Sequence, residues 1–446
     1  MNGHANIMTG LFATALLASA AIADLPQRWT LQVLSHPDAQ SLVIQDLNDQ
    51  GDASGFAFLG FGQPNSHKPF LWIDGQPNIL PTTAYWSDGY LLNESGLAVG
   101  VDHDNGDIFQ YTHDSIEPLG DLGDLFGASM YIEGMNDTDE FCGYRPLGSS
   151  RFEAFSWNAT EGLVKIAPDS ESSRALDINS QGHVVGSLNV SPPLEAYVYM
   201  NGQLELLGEG LPGSVQAVAI DDDNRVVLRE SIPTDGSTRF HIVDAITGDE
   251  LYPGPDVPPH GYTFEIQTNE QTHLFLTWIE GDNGDFEGHT GIWTAEDGLV
   301  KLVLPEDSIQ VLPTSINEHD QVLGMTFTEI YDMTLFVASV DEGIRPIRDR
   351  IIGLEPDTFL WPLDLNNSCQ IAVRLNGDSY GICGILSPAR PGDADGNGSV
   401  DVNDALTIIG AWGPWPPANG CGPDLNMDGE VNVNDLLTCL KDWDIP

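Results

Sequence analysis

One short pattern returns eight times along this 446-residue chain and sets what it can fold into. An aliphatic residue is followed by Asn or Asp, then by polar residues around a Gly, then by a β-run. The pattern reads Leu47-Asn48, Leu92-Asn93, Met135-Asn136, Ile178-Asn179, Ile220-Asp221, Thr268-Asn269, Ile316-Asn317 and Leu365-Asn366. Successive Asn/Asp positions lie 45, 43, 43, 42, 48, 48 and 49 residues apart. A period this long marks a repeat architecture, and propeller blades have this length. The expected fold is an all-β body, a β-propeller of four-stranded blades. Eight blades are preferred, with seven plus an insertion as the alternative.

Repeat four shows the anatomy. Ala175–Ile178 reads as a first strand, Asn179–Gly182 as its turn and His183–Leu188 as a second strand. Glu195–Met200 is a third, Asn201-Gly202 a two-residue turn and Gln203–Leu207 a fourth. The recurring Asn can bond neighbouring backbone N–H groups in the turn, so its role is structural. The third strands carry aromatics at period two: Phe70 and Trp72, Phe155 and Trp157, Tyr197 and Tyr199, and Trp293. Such rings suit packing between blades. The eighth unit ends at Ser387-Pro388 without a fourth strand, and the first β-run, Arg28–Leu34, has no other home. Pairing the two would close the ring and remove an exposed edge. The aromatic runs, with Leu119–Gly123, resemble the HAF-type repeat. That resemblance implies an extracellular β-repeat protein.

Composition narrows the function. There are 67 acidic residues against 16 basic ones, giving a net charge of −51. Phosphate contacts need clustered cations, so nucleic acid is excluded as a partner. Leu11–Ala23 is an apolar stretch too short to span a bilayer, and Ala21-Ile22-Ala23 fits the small-x-small cleavage rule. Residues 1–23 therefore read as a signal peptide, and no later segment is a membrane span. A secreted or cell-surface location follows. Five cysteines fit export. Cys369 and Cys383 flank Asn376-Gly377, which makes a cross-strand disulfide an expectation; Cys421 and Cys439 bracket a second candidate pair, and Cys142 is left over.

The last stretch carries two copies of an oxygen-rich loop. The first places Asp393, Asp395, Asn397, Ser399, Asp401 and Asp404 at positions 1, 3, 5, 7, 9 and 12, with Gly398 at position 6. The second places Asp424, Asn426, Asp428, Glu430, Asn432 and Asp435 in the same positions, with Gly429 at 6. Calcium takes six to eight hard oxygen ligands around a sharp turn, and this spacing supplies them; Ser399 and Glu430, at position 7, would ligate through backbone carbonyls. Two Ca²⁺ are expected. Position 12 is Asp, where an ordinary EF-hand has Glu. Pro388 and Pro391 stop any helix from entering the first loop, and a short apolar-periodic run follows each loop.

This loop-then-helix duplication resembles a dockerin module, over about residues 391–446. The resemblance implies a cohesin-like partner or a cell-surface component. Positions 10 and 11, which help choose the partner in that family, repeat as Val402-Asn403 and Val433-Asn434. Such repetition suits binding in two orientations. The first helix carries no Lys or Arg, which many dockerins use toward cohesin. The division expected is 1–23 signal peptide, 24–388 propeller and 389–446 a small α-helical calcium-binding C-terminal domain.

No Gly-x-Ser-x-Gly, His-Glu-x-x-His, Walker or Gly-x-Gly-x-x-Gly motif is present. No catalytic residue is nominated. Asp102–Asp107 and Asp282–Asp285 offer clustered oxygens but read as hairpin turns. Ligand contacts are expected on Ser231–Gly236, Tyr252–His260 and Asp282–Gly288, with a glycan as the candidate ligand. The leading reading is a secreted, non-catalytic binding or scaffold protein. The alternative is a polysaccharide hydrolase or lyase with a catalytic propeller.

Overall fold

A computed structural model describes residues 25–444, apart from 62–65, 83–85, 105, 121–129, 149–150, 190–192, 235, 258–261, 281–286, 329–331, 356, 377–380 and 416–420. The signal-peptide segment 1–23 and the Asp282–Asp285 turn lie outside the described residues. Short runs rich in β-branched and aromatic residues form eight antiparallel four-stranded blades. Repeat four folds as Ser173–Ile178, Val184–Leu188, Glu195–Met200 and Gln203–Leu207, paired in that order. The third-strand aromatics pack between blades: Phe70 and Trp72 lie against Ala372 and Ile385 of blade eight, and Phe155 and Trp157 against Val99 and Val101 of blade two.

The eighth blade takes Leu360–Leu365, Ile371–Leu375 and Cys383–Pro388 from the end of the body and Trp29–Val33 from its beginning. Trp29 pairs with Pro388 and Val33 with Gly384, so the ring closes as the strand inventory requires. A two-residue strand, Ile351-Ile352, runs parallel to Trp29-Thr30 on the outer side.

Each recurring Asn does two jobs. Within its own turn the Oδ1 accepts two amides: Asn179 takes Gln181 N at 3.1 Å and His183 N at 3.0 Å. Its Nδ2 then donates across the blade boundary to the carbonyl of the next blade's Asn or Asp. These links run Asn48–Asn93, Asn93–Asn136, Asn136–Asn179 and Asn179–Asp221, then Asn269–Asn317, Asn317–Asn366 and Asn366–Asn48, at 2.7 to 3.3 Å. Asp221 keeps the turn by accepting Asp223 N and Arg225 N, but its carboxylate has no N–H to donate across the boundary. The next position in the repeat adds a second circle. The amides of Asp49, Glu94, Ser180, Glu270, Glu318 and Asn367 donate to side chains of the following blade: Glu94, Asp137, Asp222, Glu318, Asn367 and Asp49.

Two residues before the Asn, the first strand carries a β-bulge in every blade but the sixth. A bulge re-aims its side chain. Where that residue is Asp it reaches the next blade. Asp46 accepts Leu92 N at 2.7 Å, Asp177 accepts Ile220 N at 2.8 Å and Asp364 accepts Leu47 N at 3.2 Å. Burial pushes Asp177 and Glu318 up to about 7, and it raises Asp46 with further help from the neighbouring Asp364 carboxylate.

Two expectations change. All five cysteines are free thiols. Cys383 pairs with Arg374, while Cys369 is not in a strand: it occupies the fourth position of the Asn366 turn with φ 55°. The two thiols also enter different cores, Cys369 beside Trp29 and Cys383 beside Phe70. Cys439 sits in the small core of the tail, and Cys421 lies beside Arg28 and Arg350. The second change is in blade five, where Glu250–Val257 is the outer strand, so Tyr252–Val257 is not a loop. An edge strand tolerates Pro253 and takes its two register shifts there.

Two outcomes are expected. Asn179→Ala leaves two turn amides and the Asp221 carbonyl without partners; it should lower stability by about 2–4 kcal/mol in denaturant titration. Asn179→Asp, which keeps the acceptor, should lose less. The second outcome concerns pH. A carboxyl with a raised folded pKa contributes stability that is present below its unfolded value, about 4, and is lost as pH climbs through the folded value. With Asp177 and Glu318 near 7, the melting temperature of the body in chelator should fall between pH 5 and pH 8. Asp177→Asn should flatten that slope.

Candidate metal centre

Both C-terminal loops fold onto their first Asp. Gly398 and Gly429, at φ 83° and 87°, make the sharp turn that an L side chain rarely adopts. The Asp393 carboxylate accepts Gly396 N at 2.7 Å and Gly398 N at 2.9 Å. Asp424 accepts Asp428 N at 3.2 Å and Gly429 N at 2.9 Å. Asp395, Asn397, Asn426 and Asp428 are solvent-exposed and each accepts the amide two residues on. Ser399 and Glu430 are exposed at the end of the turn.

The loops lead into two helices, α1 (Val402–Gly410) and α2 (Val433–Lys441). Each begins with a capping box. Asp401 caps α1 and Asp404 bonds back to Asp401 N at 2.8 Å; Asn432 and Asp435 repeat this at 2.8 Å. The position-12 carboxylates are fully buried. Asp404 accepts Ala394 N at 2.7 Å, and Asp435 accepts Leu425 N at 2.8 Å. The helix start therefore folds back onto the loop's first residues. In loop one this brings oxygens of Asp393, Asp395 and Asp404 within 4.8 Å of one another. In loop two Asn426 and Asn432 replace Asp at positions 3 and 9 while Asp428 replaces Asn at position 5, so three side-chain carboxylates stand at positions 1, 3, 5, 9 and 12 instead of four, and Glu430 adds an acid at position 7.

The donor set is all oxygen, which fits a hard cation. Partial desolvation within the turn raises the exposed Asp395 carboxyl, and Asp404, Asp393 and Asp401 add repulsion; burial raises Asp424, with Asp435 and Asp428 adding to it. Each loop thus gathers negative charge that a cation would neutralise. Behind the loops lies a small core of Ala394, Val400, Ile408, Leu425, Val431 and Cys439. The outer faces of the helices remain apolar. Val402, Leu406 and Ile409 on α1, with Val433, Leu437 and Leu440 on α2, are 48–59% exposed.

The channel of the body is the other acidic concentration. A cavity of about 310 Å³ is lined by Glu133, Asp137, Asp177, Asp222 and Glu270 beside Leu176 and Val218. Asp137, Asp177 and Asp222 already accept amides from neighbouring blades. These contacts give those three carboxylates a structural use. The acids that follow six of the eight recurring Asn/Asp positions could have been read from the repeats, but 67 acidic residues hid them. Asp102 accepts Asp104 N at 2.9 Å within a hairpin between Ala98–Asp102 and Asp107–Tyr111, as a turn requires.

No curated protein matches the chain in sequence. Among solved structures, the chain is similar to a puromycin hydrolase, with TM-score 0.45 and 11% identity over 78% of this chain, and it spans 61% of that one. It is similar to the Dos1 propeller, with TM-score 0.48 and 7% identity over 81% of this chain and 95% of that one. A third is the β-propeller domain of the Trilobed protease from Pyrococcus furiosus, with TM-score 0.43 and 10% identity over 73% of this chain and 97% of that one. The dockerin type I domain family matches residues 391–441, which span both loops and both helices. The C-terminal module of this propeller protein is a dockerin.

Proposed function

We propose that this is a secreted, non-catalytic binding or scaffold protein. Its propeller, residues 24–388, is held to a partner through a calcium-loaded dockerin, residues 389–446. The observation that carries this reading is the doubled loop with its doubled exposed face. Residues 31 apart repeat the same oxygen positions, the same capping box and the same half-exposed apolar triplet. A surface that repeats in this way offers one partner two equivalent footprints. A cohesin-like protein is the partner class that fits, and either helix would serve.

Each loop would hold one Ca²⁺. In the first, Asp393, Asp395, Asn397, Asp401 and Asp404 give side-chain oxygens and Ser399 its carbonyl. In the second, Asp424, Asn426, Asp428, Asn432 and Asp435 do so, with the Glu430 carbonyl. The ion would supply charge neutralisation, and so folding free energy, to a module whose core is too small to fold securely without it.

The body is the binding or spacer element, with a glycan as the ligand class. Trp86 offers such a ligand an aromatic surface. It is 42% exposed, stacks on His67 with ring centres 4.6 Å apart, and donates its indole N–H to Asp88 at 2.8 Å. A non-catalytic body is supported by the channel, where Asp137, Asp177 and Asp222 are engaged by backbone amides of adjacent blades.

Titration calorimetry on the full chain should give two calcium sites, and Asp404→Ala should remove one. A cohesin panel should bind only with calcium present. Leu406→Asp with Leu437→Asp should abolish binding, and either change alone should leave one orientation. Release of reducing ends or unsaturated sugars from a polysaccharide, abolished by Asp177→Asn, would replace this reading with the enzyme.

A further inference from the structure

The dockerin sits against the closing blade through one arginine. Arg28 is 2% exposed. Its guanidinium donates to Arg390 O at 3.0 Å, Pro391 O at 2.9 Å and Gly422 O at 3.0 Å. Pro391 stands two residues before Asp393, and Gly422 two residues before Asp424, so one side chain holds the entry of both oxygen loops. The backbone of the same residue belongs to the ring closure. Arg28 O accepts Ala389 N at 2.9 Å, and Trp29, the next residue, pairs with both Pro388 and Ile351.

Packing follows the hydrogen bonds. A Cβ added to Gly396 of loop one would lie 3.0 Å from Ile352 and 3.5 Å from Thr30, so the loop rests on the closing strand and its outer neighbour. Arg350, two residues before Ile352, contacts the Met427 sulfur of loop two. Burial disfavours the Arg28 charge, and the carboxylates that favour it are Asp393, Asp404 and Asp424, all of them loop residues.

We propose that calcium loading of the dockerin and closure of the propeller ring are one linked equilibrium, with Arg28 as the coupling residue. This rests on the calcium reading of the loops. The physical argument is one of buried polar groups. With the loops folded around their ions, three carbonyls converge on a guanidinium that is shielded from solvent. When the ions leave, like charges in each loop repel and the loop entries lose their shape. The carbonyls then separate, and a buried cation is left short of acceptors, which is costly. Among the described residues, the strand that follows Arg28 is the one strand that the N-terminal end gives to blade eight, so its loosening opens the ring there. Linkage makes the effect mutual: whatever factor calcium adds to closure, closure adds to calcium affinity.

The test uses residues 24–446 intact. Hydrogen exchange by mass spectrometry is followed at 29–33 and 384–388, in calcium and in chelator, beside calorimetry for bound calcium. In the wild type, chelation should speed exchange in both segments about tenfold or more while leaving blade four unchanged. Arg28→Lys keeps the charge but cannot span three carbonyls. In that variant exchange should be fast already in calcium, chelation should add little, and the calcium Kd should rise about fivefold or more. Calcium bound with unchanged exchange at 29–33 in the wild type would overturn the linkage and leave the calcium reading standing. No bound calcium in calorimetry would overturn both.

Discussion

Everything in the body hangs on the asparagine carboxamide. It carries an acceptor and a donor on one short planar group, so a single residue can close its own turn and fasten the next blade. A blade has apolar faces that it cannot cover by itself, and neighbours must cover them. Apolar packing is non-directional and would tolerate a range of blade angles. The Asn bonds, with donor–acceptor distances of 2.7 to 3.3 Å, remove that freedom at the same point in seven of the eight seams. Their position is buried, so a missing partner costs more than a formed bond gains. Asp221 shows which half of the function can be spared. It retains the turn and gives up the bond to blade six, and the cavity of about 310 Å³, lined by blades three to six, takes in both sides of that seam.

What the sequence disclosed is what local chemistry dictates. The turns were legible because Asn and Gly are needed there whatever surrounds them, and the strands of repeat four fell within two residues of their observed bounds. Ring closure was legible by elimination, since one strand lacked a partner at each end. The disulfide between Cys369 and Cys383 failed because a hairpin centred on Asn376 assumes that both thiols are in strands. Aligning the eight turns corrects this. The fourth turn position has positive φ in all of them and holds Gly51, Gly96 and Gly182 in three; Cys369 is simply its occupant in blade eight. The outer strand Glu250–Val257 was hidden by Pro and Gly, which an edge position permits. The link from each Asn to the next blade was not legible, because nothing in one repeat shows what its neighbour presents.

The dockerin loops were legible for the same reason as the turns: their ligand positions are consecutive in the chain. Their seating on the propeller was not, since Arg28 and Gly422 are 394 residues apart. A general feature of the charge distribution ties the two together. With only 16 basic residues among 67 acidic ones, a cation is too scarce to be spread over the surface. Several stand at joints instead. Arg345 donates to Pro26 O and Arg350 to Gln27 O, while Arg28 gathers the dockerin, so three arginines fasten the first residues of the body. Arg390 binds Asp444 and the Asp442 carbonyl, tying the start of loop one to the end of α2. Exposed ion pairs contribute little, but a guanidinium donating to buried carbonyls makes charge-assisted bonds that water cannot replace. The acidic surface keeps molecules apart, and the few arginines hold one molecule together where its two ends meet.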